Sequence, residues 1–226
     1  MKPDNVNTVF LTGATSNIMS TFLFQCANYY SEQGFKVLYI APSPWEKLPP
    51  IIHGTDQPTR DTVSLIRFFY FQQWQDLLKH MFKMHIHPYV PRVIIIEKLN
   101  YYCKLFPEEE NTQEKYEHEV HSAKICASLI DATSVCAKRC KNDTVLLVSF
   151  EQNQRQGNLV NMIVDTYFSS TLWLFDETNE ENKDIISIKS SSCAGLGKHA
   201  KLEFIHLKES ETLILQKIVN FAGLTL

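Results

Sequence analysis

The chain reads as an α/β protein with a mostly parallel central sheet and helices on both faces. Two observations predict this. Apolar runs at 8–12, 36–41, 92–97 and 144–150 are continuous rather than alternating, the pattern of strands buried on both faces. Helix-like stretches at 20–33, 72–85 and 112–139 lie between them, and another at 158–167 follows the fourth. Strand alternating with helix is the signature of βαβ crossovers.

Later runs at 171–175, 184–189 and 202–207 lie closer together. They predict antiparallel pairing at one edge of the sheet. The apolar tail at 213–221 fits a strand or a helix. Only 176–184 is polar enough to read as a disordered stretch.

The 226 residues suffice for one α/β domain with a buried core, and residues 1–226 are read as one domain. Apolar residues make up 44% and charged residues 21%, ordinary globular values. The formal charge of −3 gives no overall basic field, so a nucleic-acid contact needs a local patch or a partner. The N-terminal sequence lacks the long apolar run of a signal peptide, and no window has the length of a membrane span. The expectation is a soluble intracellular protein whose six cysteines are thiols.

The segment from Val9 to Thr21 places a glycine, Gly13, between a strand and a helix start. A phosphate-binding loop has glycine, four residues, then Gly-Lys-Ser/Thr. Counted from Gly13, those last three positions hold Ile18, Met19 and Ser20. The first glycine and the hydroxyl survive. A β-branched residue resists the turn that a second glycine permits. Methionine matches lysine in length but carries no charge. Loss of one charge-stabilising group costs roughly 3–4 kcal/mol at comparable sites. Gly13, Ser20 and Thr21 are the candidate cofactor residues of this loop. ATP is expected to bind weakly at most, without hydrolysis.

Two other readings stay open on this loop. One is a dinucleotide-binding loop of a Rossmann-type NAD(P)-dependent oxidoreductase. Ser16 and Met19 stand where its glycines belong, no acid ends the second run, and no tyrosine has a lysine four residues later. The other is a plain strand-to-helix turn.

Beyond the loop, the order and spacing of segments resemble the RecA-type recombinase core. More closely, they are similar to recombinase paralogues that pair with a SWIM-type zinc-finger protein in the Shu complex. Residues 36–49, with Ala41-Pro42-Ser43-Pro44-Trp45, carry this, together with 66–70, 92–101, 166–168 and 171–174. The resemblance spans most of 8–207. It implies a RecA-like P-loop core, with Glu97 at the end of the third run as the fourth candidate cofactor residue where the family has a magnesium-holding aspartate, and a nuclear, non-catalytic subunit in homologous-recombination DNA repair. The implied partners are a SWIM zinc-finger protein, a RecA-family recombinase and single-stranded DNA, with no membrane. A weak ATPase is the competing outcome.

In that family two loops face DNA. Here one spans 100–113 and contains Glu108, Glu109 and Glu110, which repel phosphate, beside Tyr101 and Tyr102, which could stack on bases or lie in the interior. The other spans 151–158 and offers Gln154, Arg155 and Asn158. Lys138, Arg139 and Lys141 form a basic cluster nearby, and Lys198, His199 and Lys201 another. Phe24 and Ala27 match the Phe-x-x-Ala spacing that recombinases use to dock neighbours; core packing is the other reading. His80, His85 and His87, and Cys126, Cys136 and Cys140, lack the paired spacing of zinc ligands, so no metal is expected.

Overall fold

The computed structural model describes residues 5–13, 16–55, 58–104, 112–152, 157–168, 171–179, 183–191, 200–207 and 212–220. In chain order the elements are β1 (Val6–Gly13), α1 (Ser16–Glu32), β2 (Val37–Ala41), β3 (Ile51–Ile52), α2 (Arg60–Ser64), β4 (Ile66–Tyr70), α3 (Trp74–Phe82), β5 (Val93–Ile96), α4 (Leu99–Cys103), α5 (Thr112–Cys140), β6 (Thr144–Glu151), α6 (Gly157–Tyr167), β7 (Thr171–Asn179), β8 (Lys183–Ser191), β9 (Ala200–Leu207) and β10 (Thr212–Asn220). The strands form one sheet in the order β3-β10-β9-β8-β7-β1-β6-β5-β2-β4.

From β7 to β4 every pairing is parallel. Successive strand residues face opposite sides, so each continuous apolar run feeds two cores. Val93 and Ile95 join Leu11, Tyr39 and Leu147 under Met19, Leu23 and Ala27 of α1. Ile94 and Ile96 join Phe10, Val148 and Phe150 against Leu77 of α3, Leu129 of α5 and Ile163 of α6.

From β7 to β10 the pairings are antiparallel. Ile186, Ile188 and Phe204 point into the α1-side core, where Phe22 meets Phe175 and Phe204 edge-on. The neighbours Ser187, Lys189 and Glu203 occupy the other face, which gives the alternation of a half-covered sheet. Residues 176–179 and 183–184 are therefore strand, not disorder. Polar residues stand at successive positions there, on both faces of the strand ends, with Asp176 and Thr178 exposed. The apolar tail resolves as strand β10.

Strand β4 is one that the apolar pattern does not reveal. It is the edge strand beside β2, and its half-exposed residues break the apolar run. Arg67 lies over the Tyr89 ring, 4.1 Å from its centroid, and the Tyr89 hydroxyl donates to Leu65 O at 2.6 Å and Val37 O at 2.9 Å. That clasp ties the start of β4 to β2.

The path from β2 to β4 is unusual. The chain leaves β2, crosses to β3 at the opposite edge of the sheet, then returns through α2 to β4. Both β3 and α2 touch α1. At 100° per residue, Thr21 and Asn28 face away from the sheet, yet they are 1% and 2% exposed. Helix α1 is thus covered on its outer side as well.

Candidate functional site

The parallel strands end together at one edge of the sheet, and the site is built there. β5 runs straight into Glu97, whose N–H donates to Ile40 O at 2.8 Å. The next residue, Lys98, takes a left-handed conformation with φ 57°. That turn leaves the Glu97 side chain inside the molecule, 2% exposed.

Glu97 is surrounded by donors from its own chain. Ser20 Oγ, in the second turn of α1, donates to Glu97 Oε1. The Tyr39 hydroxyl of β2 donates to Oε2 at 2.8 Å. Trp45 Nε1 donates to Oε2 at 3.2 Å. Trp45 also packs edge-to-face on Phe24, Tyr39 and Phe68, with centroids 5.1–5.7 Å apart. Burial and the Glu97 charge hold the Tyr39 hydroxyl well above the usual tyrosine range, so Tyr39 is a standing donor at neutral pH.

Ser20 and Glu97, both singled out in the sequence, are joined directly by the fold. Thr21 is buried, and its hydroxyl donates to Asn17 O at 3.0 Å, inside the helix. Gly13 has a structural reason for its missing side chain. A Cβ there would lie 2.7 Å from Phe175 Cβ, and closer still to the Phe175 carbonyl oxygen. Met19, expected at the mouth of a phosphate cradle, places its side chain in the α1-side core instead, 1% exposed.

The residues do not fit a magnesium nucleotide. Such a site needs a cation for the outer phosphates and free oxygens for the metal. Here the cation position is a core methionine. The hydroxyl and carboxylate are bonded to each other, and two aromatic donors cover the carboxylate. Sequence reasoning missed Tyr39 and Trp45. Their N–H and O–H groups carry no motif, and only the fold brings them to Glu97.

The second strand-end acid is Glu151 of β6. Lys98 Nζ lies 3.4 Å from Glu151 Oε1. Lys98 N–H donates to Ser149 Oγ, and Glu151 N–H to Asn100 Oδ1. These bonds fasten the start of α4 to the end of β6.

The expected docking pair is internal. Ala27 is fully buried and Phe24 is 7% exposed against Trp45, so neither is presented to a neighbour. Their spacing is that of a helix face turned into the fold. Arg139 donates to Met84 O at 2.6 Å and His87 O at 2.7 Å. It closes the turn after α3 rather than standing free for phosphate. Lys138 and Lys141 are exposed. Gln154 and Arg155 lie outside the described residues, as do Glu108, Glu109, Glu110, Lys198 and His199; of Asn158 only the helical backbone is described. Lys201 pairs with Glu203. Tyr102 is buried, and the half-exposed Tyr101 donates to Gln72 O at 2.9 Å. Among the described residues no three His, Cys, Asp or Glu side chains converge as a metal cluster.

A strand, β6, stands between β1, which leads into the loop, and β5, which carries the acid. In a dinucleotide-binding sheet the first strand would border the second; β1 borders β6 and β7 instead. The chain has a RecA-like P-loop ATPase fold, with a mostly parallel central sheet.

Solved structures agree. The chain is similar to the flagellar accessory protein FlaH from Methanocaldococcus jannaschii, with TM-score 0.57 and 8% identity over 93% of this chain and 89% of that one. It is similar to the KaiC-like protein PH0186 from Pyrococcus horikoshii OT3, with TM-score 0.54 and 12% identity over 93% and 89%. It is also similar to a DnaB-like replicative helicase, with TM-score 0.52 and 12% identity over 93% of this chain and 59% of that one. At such identities the likeness is one of fold. No family model matches the chain, and no curated protein matches it in sequence.

Proposed function

We propose that this chain is a non-catalytic recombinase-paralogue subunit acting in homologous-recombination DNA repair. One observation carries the non-catalytic part: Glu97 is occupied by Ser20, Tyr39 and Trp45 while Met19 lies in the core. A RecA-like domain in that state serves as a scaffold. The resemblance of residues 36–49, 66–70 and 92–101 to paralogues of the Shu complex supports the biological setting. On this reading the chain pairs with a SWIM-type zinc-finger protein in the nucleus, binds single-stranded DNA as that complex, and supports filaments of a RecA-family recombinase.

DNA affinity would come from exposed cations such as Lys138 and Lys141, with Arg155, and would fall steeply with salt. Co-expression with the SWIM partner tests the reading. The expected result is a stable complex that binds single-stranded DNA without ATP. A chain that turns over ATP alone would refute it.

A further inference from the structure

Residues 42–50 join β2 to β3, which stand eight strand spacings apart in the sheet. At about 4.8 Å per spacing, that is about 38 Å across a flat sheet. Ten steps of extended backbone reach about 34 Å. A flat sheet would put its ends beyond that reach, and the coiling of the sheet brings them within it. Its composition suits so long a reach. Pro42, Pro44, Pro49 and Pro50 are four of its nine residues, and proline holds a chain extended.

Its two fixings are visible. At the far end β3 pairs in parallel with Thr212 and Leu213 of β10, and Ile52 packs into the α1-side core. Near the start, Trp45 is seated among Phe24, Tyr39 and Phe68, with its indole N–H on Glu97. Between these points Glu46, Lys47 and Leu48 are exposed, Leu48 to 75%, while Pro49 is buried.

We propose that 42–52 is an autoinhibitory strap: Trp45 latches it over Glu97, and the latch, in addition to the lost lysine, keeps metal from the Ser20–Glu97 pair. This rests on the reading of the site as one that holds no nucleotide, and it names what closes it. The strap is an intramolecular competitor for the carboxylate. Releasing Trp45 loosens the strap and takes one of three donors off Glu97, whose carboxylate, still held by Ser20 and Tyr39, then comes within reach of a hard cation.

The test uses the full chain with terbium as the probe, read by tyrosine-sensitised luminescence, and trypsin cleavage after Lys47. Trp45→Ala is expected to gain a terbium signal about tenfold tighter than any in the unaltered chain, the size of one hydrogen bond to a charged group. Adding Glu97→Gln should abolish that gain. Trp45→Phe keeps the ring packing and removes only the N–H, so it preserves the test if Trp45→Ala does not fold; it should show the same gain in part. Cleavage after Lys47 should quicken in both. The strap is overturned if neither variant shows a Glu97-dependent signal, or if the unaltered chain already does. Failure of the functional reading looks different: the unaltered chain would bind magnesium–ATP with Trp45 in place.

Discussion

The parallel and antiparallel halves of the sheet use the same strand chemistry to different ends. In the parallel half both faces are covered, by α1 on one side and by α3, α5 and α6 on the other. Its strands end in a buried carboxylate. In the antiparallel half one face packs on the α1-side core and the other alternates with polar residues, and β10 leaves Ile218 64% exposed. The first half holds the site. The second anchors the strap that closes it, through β10 and β3. The architecture is RecA-like, and the carboxylate at its strand ends is held by Ser20, Tyr39 and Trp45 of the same chain.

Substitutions can break that contrast. Ile94→Ala removes a fully buried side chain from the parallel half and should cost about 2–5 kcal/mol in chemical denaturation. At the junction of the halves, Gly13→Ala drives a Cβ into Phe175 and should cost about 1–3 kcal/mol. If it were neutral, the close approach of β1 to β7 would be wrong. Tyr39→Phe takes one of the donors from a buried carboxylate and should cost about 1–2 kcal/mol. Ile218→Ser in the antiparallel half should change stability by less than about 0.5 kcal/mol. Equal costs for Ile94 and Ile218 would erase the difference between the halves.

Alkaline titration sharpens the same comparison. Burial pushes Tyr89 up to about 12 and Tyr39 well above its usual range. Both groups are neutral in the fold and ionise more readily once unfolded, at about pH 10. Their stabilisation is therefore complete below about pH 10 and is lost as pH rises through the folded values. Denaturation midpoints from pH 8 to 12 should fall. Tyr89→Phe should flatten that fall, though it also loses two hydrogen bonds to β2 and Leu65.

Much of the parallel half was legible. Continuous runs such as 92–97 and 144–150 fit strands buried on both faces, the glycine loop put Ser20 forward, and the resemblance put Glu97 forward. Other parts were not. β4 hides because Arg67 and Tyr70 interrupt an edge strand whose outer face meets water. Phe24 and Ala27 looked like a docking pair because sequence does not show which way a helix turns when both its sheet side and its outer side are buried. Trp45 sits in a proline-rich stretch that carried the resemblance but no site residue. Its meaning appears only when the strand order shows how far that stretch must reach.

Calorimetric titration of the unaltered chain with magnesium–ATP tests the central claim most directly. A carboxylate already held by Ser20, Tyr39 and Trp45 predicts no saturable heat up to millimolar nucleotide. Micromolar binding that Glu97→Gln abolishes would contradict it.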